Sequence, residues 1–153
     1  MAIEAIVLFG IKDSNVLLIE KKKGFVMGKI NGVGGKIKEG ETPLQAVIRE
    51  CVEEVAATPI NPEFMGSVDF FFGYSKSVNW TVHIFRSDGF SGEPKESDEV
   101  KPFWMQIGKI PYDKMWVADK HWIPFVLEGK PFKGKVVFDT TGEKLVSCEI
   151  VMG

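Results

Sequence analysis

The stretch GKIKEGETPLQAVIRECVEEVAA, Gly35 to Ala57, decides how the rest of the chain is read. At about 100° per residue, Glu50, Glu53 and Glu54 fall at i, i+3 and i+4, so a helix projects their carboxylates from one face. Leu44, Ile48, Cys51, Val52 and Val55 occupy the opposite face, which predicts an apolar stripe on the core and an acidic face turned outward. Thr42 is a good N-cap, Pro43 suits the first helical position, and Gln45 completes a capping box. Thr58-Pro59 marks the exit. Three like charges in so short a span repel one another, and only Arg49 stands close enough to relieve them. Two readings follow: a solvated amphipathic face, or a hard-cation site in which carboxylate oxygens hold Mg²⁺ beside phosphates.

The residues just before the helix favour the cation. Gly32-Val33-Gly34-Gly35 can bring backbone close to a ligand and offer a carbonyl beside the helix. The pattern Gly35, Glu41, Arg49-Glu50, Glu53-Glu54 resembles the Nudix box, the signature of hydrolases that cleave a nucleoside diphosphate linked to another group. All six of its fixed glycine and polar positions are present. Cys51 and Ala57 replace larger aliphatics usual in the box, and Ala56 stands where it usually has glycine. The resemblance implies an α/β (α+β) class protein, the Nudix fold, with an α/β/α sandwich around a mixed β-sheet. It also implies that Glu50, Glu53 and Glu54 hold Mg²⁺, or Mn²⁺, with the carbonyl of Gly34. Glu99 joins them as a further metal or catalytic carboxylate, and Glu53 or Glu99 takes the proton of the attacking water. Arg49 orients the carboxylates by bidentate pairing, and Glu41 braces the loop.

At 153 residues, with 44% hydrophobic and 26% charged content, the chain fits one globular domain over 1–153 with a real core. A net charge of −2 gives no bulk attraction to a nucleic-acid polymer or an anionic membrane, so a polyanionic substrate must be met by local devices such as a cation. Cys51 falls in the helical core pattern and Cys148 in a strand-like segment; both read as reduced thiols. Met1-Ala2-Ile3-Glu4 has no basic leader, and no apolar run reaches the roughly 20 residues that span a bilayer. A soluble, cytoplasmic monomer is expected.

Outward from the box, Ala5 to Ile11 and Val16 to Ile19 read as a buried hairpin broken at Lys12-Asp13-Ser14-Asn15. Lys21-Lys22-Lys23 leads into a basic, glycine-bounded loop, Gly24 to Gly28, that either meets phosphates or stays solvated. Glu63 to Phe72 and Ser77 to Ser87 make two strands whose aromatic faces, Phe70 with Phe72 and Trp80 with Val82 and Ile84, are core or the wall of a purine-sized pocket. Ser87 to Ser97 reads as an exposed loop, Val100 to Ile107 as a strand, and Tyr112 to Ala118 as a connector. Asp119 to Glu128 is a short helix with Trp122, Phe125 and Val126 inward, stopped by Gly129. Phe132 to Asp139 and Lys144 to Val151 pair through Thr140-Thr141-Gly142-Glu143.

The resemblance extends over Lys21 to Gly35, Glu96 to Phe103 and Ile110 to Pro124. These are similar to the branch of the Nudix family that hydrolyses oxidised purine nucleoside triphosphates such as 8-oxo-dGTP to monophosphate and pyrophosphate. It implies a base gripped by Asn31, Trp116 and Asp119, with Phe25 about the substrate, while Lys21 of the basic run and Phe70 of the aromatic strand face are further candidates for substrate contact. The residue types suit such a grip, since an amide donates and accepts at a purine edge, an indole stacks, and a carboxylate accepts from ring N–H and exocyclic amine. Each also has a plain structural reading, Asn31 as a turn residue, Trp116 as core, Asp119 as a helix cap. Ala118 stands where that branch has a second aspartate, and Ile30 where it has a tryptophan. An ionised Asp119 standing alone predicts a guanine-type preference. Two other classes stay open: a Nudix enzyme for another nucleoside diphosphate derivative, and a nucleotide-binding module without turnover.

Overall fold

The computed structural model describes residues 2–24 and 27–153. In chain order the strands and helices are β1 (Ile3–Lys12), β2 (Asn15–Lys21), β3 (Ile30–Asn31), β4 (Val33–Lys36), α1 (Pro43–Val55), β5 (Thr58–Pro59), β6 (Glu63–Phe72), β7 (Trp80–Ser87), β8 (Phe90–Ser91), β9 (Val100–Gln106), α2 (Asp119–Leu127), β10 (Phe132–Phe138) and β11 (Leu145–Met152). The main sheet runs β11-β10-β6-β7-β1-β2-β3, with β4 also paired to β1 and β9 to β2. It is mixed: β1 lies parallel to β7 and β6 parallel to β10, while the other pairs are antiparallel. The expected first hairpin forms only at its tight end, Ile11 opposite Val16 and Lys12 opposite Asn15, around Asp13 and Ser14 at positive φ. Beyond it β1 leaves β2 for β4 and β7, because β1 is apolar on both faces and a central strand buries both.

Alternation along β1 and β2 divides the core. Ile6, Leu8, Leu17 and Ile19 pack with Val47, Cys51 and Val55 of α1. Val7, Phe9, Val16 and Leu18 pack on the other side with Trp122, Ile123 and Val126 of α2. Helix, sheet and helix therefore form the expected α/β/α sandwich. Phe125 is only partly buried, and Ile123 takes the deeper place in α2.

The helix α1 corrects one expectation. Leu44, Ile48 and Val52, assigned to the core, are 44%, 37% and 50% exposed, whereas Glu54 is only 8% exposed. The buried face is Ala46, Val47, Cys51 and Val55, so the helix is turned to bring its acidic side against the sheet. The cause lies in β4. Gly32 to Gly35, assigned no element from the sequence, holds most of this strand on β1, and Gly35 leaves room for the Glu50 carboxylate. A Cβ on Gly35 would collide with the Glu50 carboxylate, and one on Gly34 with the backbone oxygen of Ile6. The loop after β7 also holds a short strand, β8, paired with β5 at Thr58-Pro59.

Candidate active site

The entry to α1 is fixed as its sequence predicts. Thr42 Oγ1 accepts the Gln45 N–H at 3.2 Å, and Gln45 Oε1 accepts the Thr42 N–H at 2.9 Å. One turn on, Arg49 is the hub of the acidic face. Its Nε and Nη2 donate to the two oxygens of Glu41 at 2.6 and 3.0 Å. Nη1 donates to Glu50 at 2.6 Å and Glu53 at 3.1 Å, and Nη2 also reaches the Lys36 carbonyl at 3.1 Å. A single guanidinium thus relieves the repulsion between Glu50 and Glu53 and ties the helix to Glu41 and the β4 end. Glu41 in turn accepts the Lys38 N–H at 2.8 Å. The Arg49 fork, with that backbone N–H, holds the Glu41 carboxyl down at about 2.

Glu54 is held differently. The Gly34 N–H donates to its Oε1 at 3.3 Å, and the Lys21 ammonium lies 3.5 Å from Oε2. Burial raises the proton affinities of both Glu54 and Glu50 above the usual carboxylate range, Lys21 and Arg49 offsetting only part of that effect. Glu53 is half exposed, with Lys38 4.0 Å away. Glu99 is exposed; its carbonyl accepts the Lys22 N–H at 2.9 Å, which ties its loop to the residue next to Lys21. Lys22 also pairs with Glu96 at 2.6 Å. Among the described residues no three acidic, imidazole or thiol groups converge on one point. Arg49 draws Glu50 and Glu53 to itself while Gly34 and Lys21 hold Glu54. The donor set nevertheless suits a hard divalent cation: every ligand atom is oxygen, and the buried Glu54 and the partly buried Glu50 stand side by side on one face of α1.

The second half of the site lies on the connector before α2. Trp116 is 37% exposed, so it is not a core residue, and it borders a cavity of about 560 Å³ with Lys29, Tyr112, Asp113, Met115, Lys120 and Glu143 among its lining. Asp119 is only 2% exposed, and its Oδ2 accepts the Trp116 N–H at 3.1 Å, so it braces the turn as well as starting the helix. Burial pushes its carboxyl up to about 7, against the opposing pull of that N–H, the Trp122 side chain and Lys29. The Trp122 indole N–H, also buried, completes no hydrogen bond of good geometry among the described residues. The burial of Asp119 works against the ionised form expected from the sequence and moves its ionisation towards neutral pH. Ala118 is fully buried beside it.

Asn31 turns its Oδ1 back onto the Gly32 N–H at 2.8 Å. Phe70 is partly buried and stacks on Phe138, which also stacks on Phe72, with centroids 6.1 and 5.5 Å apart. Phe70 and Phe138 belong to the same core cluster as Met115, Ala118 and Trp122, whereas Phe72 is exposed. Phe25 lies outside the described residues. Carboxylate and connector groups thus form two clusters, with Lys21 in the first. Sequence reasoning missed Lys29, whose ammonium lies 5.1 Å from the Trp116 ring centroid. A lone lysine just past a glycine-bounded loop carries no pattern that would have singled it out.

A profile of the NUDIX domain matches residues 2–126. The chain is 44% identical over 129 residues to the oxidized purine nucleoside triphosphate hydrolase of Danio rerio, covering 84% of this chain and 81% of that protein. To the mouse (Mus musculus) protein of the same name it is 38% identical over 128 residues, covering 84% and 81%. Among solved structures, a MutT protein from Bacillus halodurans superposes with a TM-score of 0.84 at 25% identity, over 97% of each chain.

Proposed function

The chain belongs to the Nudix family of hydrolases, and from that premise we propose that it hydrolyses purine nucleoside triphosphates, oxidised ones of the 8-oxo-dGTP kind foremost, to monophosphate and pyrophosphate. The two relatives named as oxidized purine nucleoside triphosphate hydrolases support the substrate class. The observation that carries the reading is the acidic face of α1, with Glu50 and Glu53 held by Arg49 and Glu54 held by Lys21 and the Gly34 N–H of the glycine strand β4.

Glu50, Glu53, Glu54 and the Gly34 carbonyl would hold Mg²⁺, or Mn²⁺, with Glu99 as a further ligand. Such a cation would neutralise the phosphate oxygens during attack. Arg49 keeps the carboxylates in place while they exchange partners. Lys21, beside Glu54, adds a positive charge where a phosphate would approach. Glu53 or Glu99, both exposed, takes the proton as water bonds to phosphorus and the bridging oxygen leaves with the other phosphoryl product. Trp116 stacks on the base, Asn31 and Asp119 read its edge, and Phe70 contributes to the wall around it, with Phe25 as a further substrate contact.

The test is release of pyrophosphate from a panel of nucleotides with Mg²⁺ present and absent. A chain that binds oxidised purine triphosphates without releasing pyrophosphate would be a sensing module instead. Turnover confined to dinucleotides or capped RNA would assign another substrate within the family.

A further inference from the structure

Trp116 sits on a segment with no strand pairing. Around it the backbone is held by short turns, Lys114 N–H to Pro111, Met115 N–H to Tyr112 and Asp119 N–H to Trp116. A stacking platform needs a fixed ring plane, and such turns leave the side chain's own torsions free. Among the described residues, Lys29 reaches this segment from elsewhere in the chain by two polar contacts. Its ammonium lies 5.1 Å from the indole centroid and donates to the Met115 carbonyl at 3.4 Å. The backbone of Lys29 is anchored in turn, its carbonyl accepting the Lys21 N–H at 3.0 Å at the end of β2.

We propose that Lys29 is a positioning residue, a latch that fixes the Trp116 ring and ties the 110–118 connector to the loop leading into β3. Its ammonium covers one face of the indole and leaves the other to a purine. The latch also joins the two halves of the site. Lys21, which anchors Lys29 through its backbone, reaches Glu54 through its side chain at 3.5 Å, and Asn31 follows Lys29 by two residues. Lys29 meets no reacting atom in this scheme. The inference rests on reading Trp116 as the base platform.

The experiment compares Lys29→Met, which keeps the stem and removes the charge, with Lys29→Arg, which keeps both cation and stacking. On 8-oxo-dGTP, Lys29→Met raises KM about 3- to 10-fold, the scale of a lost cation–π contact and one charged hydrogen bond, with kcat within about 2-fold. Lys29→Arg restores KM to within about 2-fold of wild type. On a Trp116→Ala background Lys29→Met adds nothing further. Amide exchange over 112–119 in the nucleotide-free protein quickens in Lys29→Met and not in Lys29→Arg, an outcome independent of turnover. Unchanged exchange with unchanged KM overturns the latch, as does an equal KM rise on the Trp116→Ala background. An unaltered KM in Trp116→Ala itself, with quickened exchange in Lys29→Met, would retain the latch and overturn only the base-platform reading.

Discussion

Asp119 shows how much one buried carboxyl carries. Its folded-state pKa, pushed up to about 7, lies above the value near 3.8 of an unfolded aspartate. Ionising it in the folded protein is therefore unfavourable, and that cost grows as pH rises from about 4 to 7 and is complete above. Asp119→Asn keeps an oxygen for the Trp116 N–H and removes the ionisation. The variant is expected to melt higher than wild type at pH 8, with the difference shrinking towards pH 5, while its activity on 8-oxo-dGTP falls. Melting curves across that range check it; a difference independent of pH would contradict the burial of an ionisable Asp119. The same titration bears on specificity. The neutral acid can donate to an unprotonated ring nitrogen, whereas the carboxylate only accepts, so preference for guanine-type over adenine-type bases should sharpen as pH rises through 7. At Trp116, replacement by Ala is expected to raise KM for nucleoside triphosphates without the roughly 3 to 5 kcal/mol loss of a core tryptophan, because the ring is over one-third exposed. A thermal melt beside the kinetics separates the two. The box residues were legible because their spacing is fixed; the protonation of Asp119 was not, since it depends on burial produced by α2 and the connector together.

At the scale of the element, α1 was readable at both ends but not in its rotation. Thr42, Pro43 and Gln45 wrote its start, and both capping-box bonds form. Its apolar residues, however, cover more than one face: Val47, Cys51 and Val55 form one row, and Leu44, Ile48 and Val52 another beside it. Periodicity alone cannot choose between adjacent rows. The choice falls to β4, where Gly35 leaves room for the Glu50 carboxylate and the Gly34 N–H donates to Glu54, which turns the first row inward. Gly35→Ala is accordingly expected to displace Glu50 and cost activity more than stability. The exit of the helix carries a second consequence. Ala56, where the family usually has glycine, adopts a left-handed conformation with φ 55° and ψ 35°, its N–H donating to the Val52 carbonyl at 3.1 Å. For a residue with a Cβ that conformation costs roughly 1 kcal/mol. Ala56→Gly should therefore raise stability by about 0.5 to 1 kcal/mol, or about 1 to 4 °C in Tm, with kcat unchanged. A lower melting temperature would contradict the assigned backbone geometry.

Across the whole molecule the sandwich was legible from the order of short strands and two separated helices, and from strands apolar on both faces. The strand pairing was not: β1 departs from its hairpin partner, and the two-residue strands β3, β5 and β8 have no periodicity to read. That topology sets β4 against the acidic side of α1 and leaves the connector before α2 to carry Trp116. The central claim is that the carboxylates on α1 act with a divalent cation to hydrolyse an oxidised purine triphosphate. The direct measurement is pyrophosphate released from 8-oxo-dGTP by wild type, Glu53→Gln and Glu54→Gln, each with Mg²⁺ and with chelator. Wild type should turn over only with the cation, and both variants should stay folded while losing about 10²-fold or more. Near-normal release by the two variants, or by wild type in chelator, would contradict it.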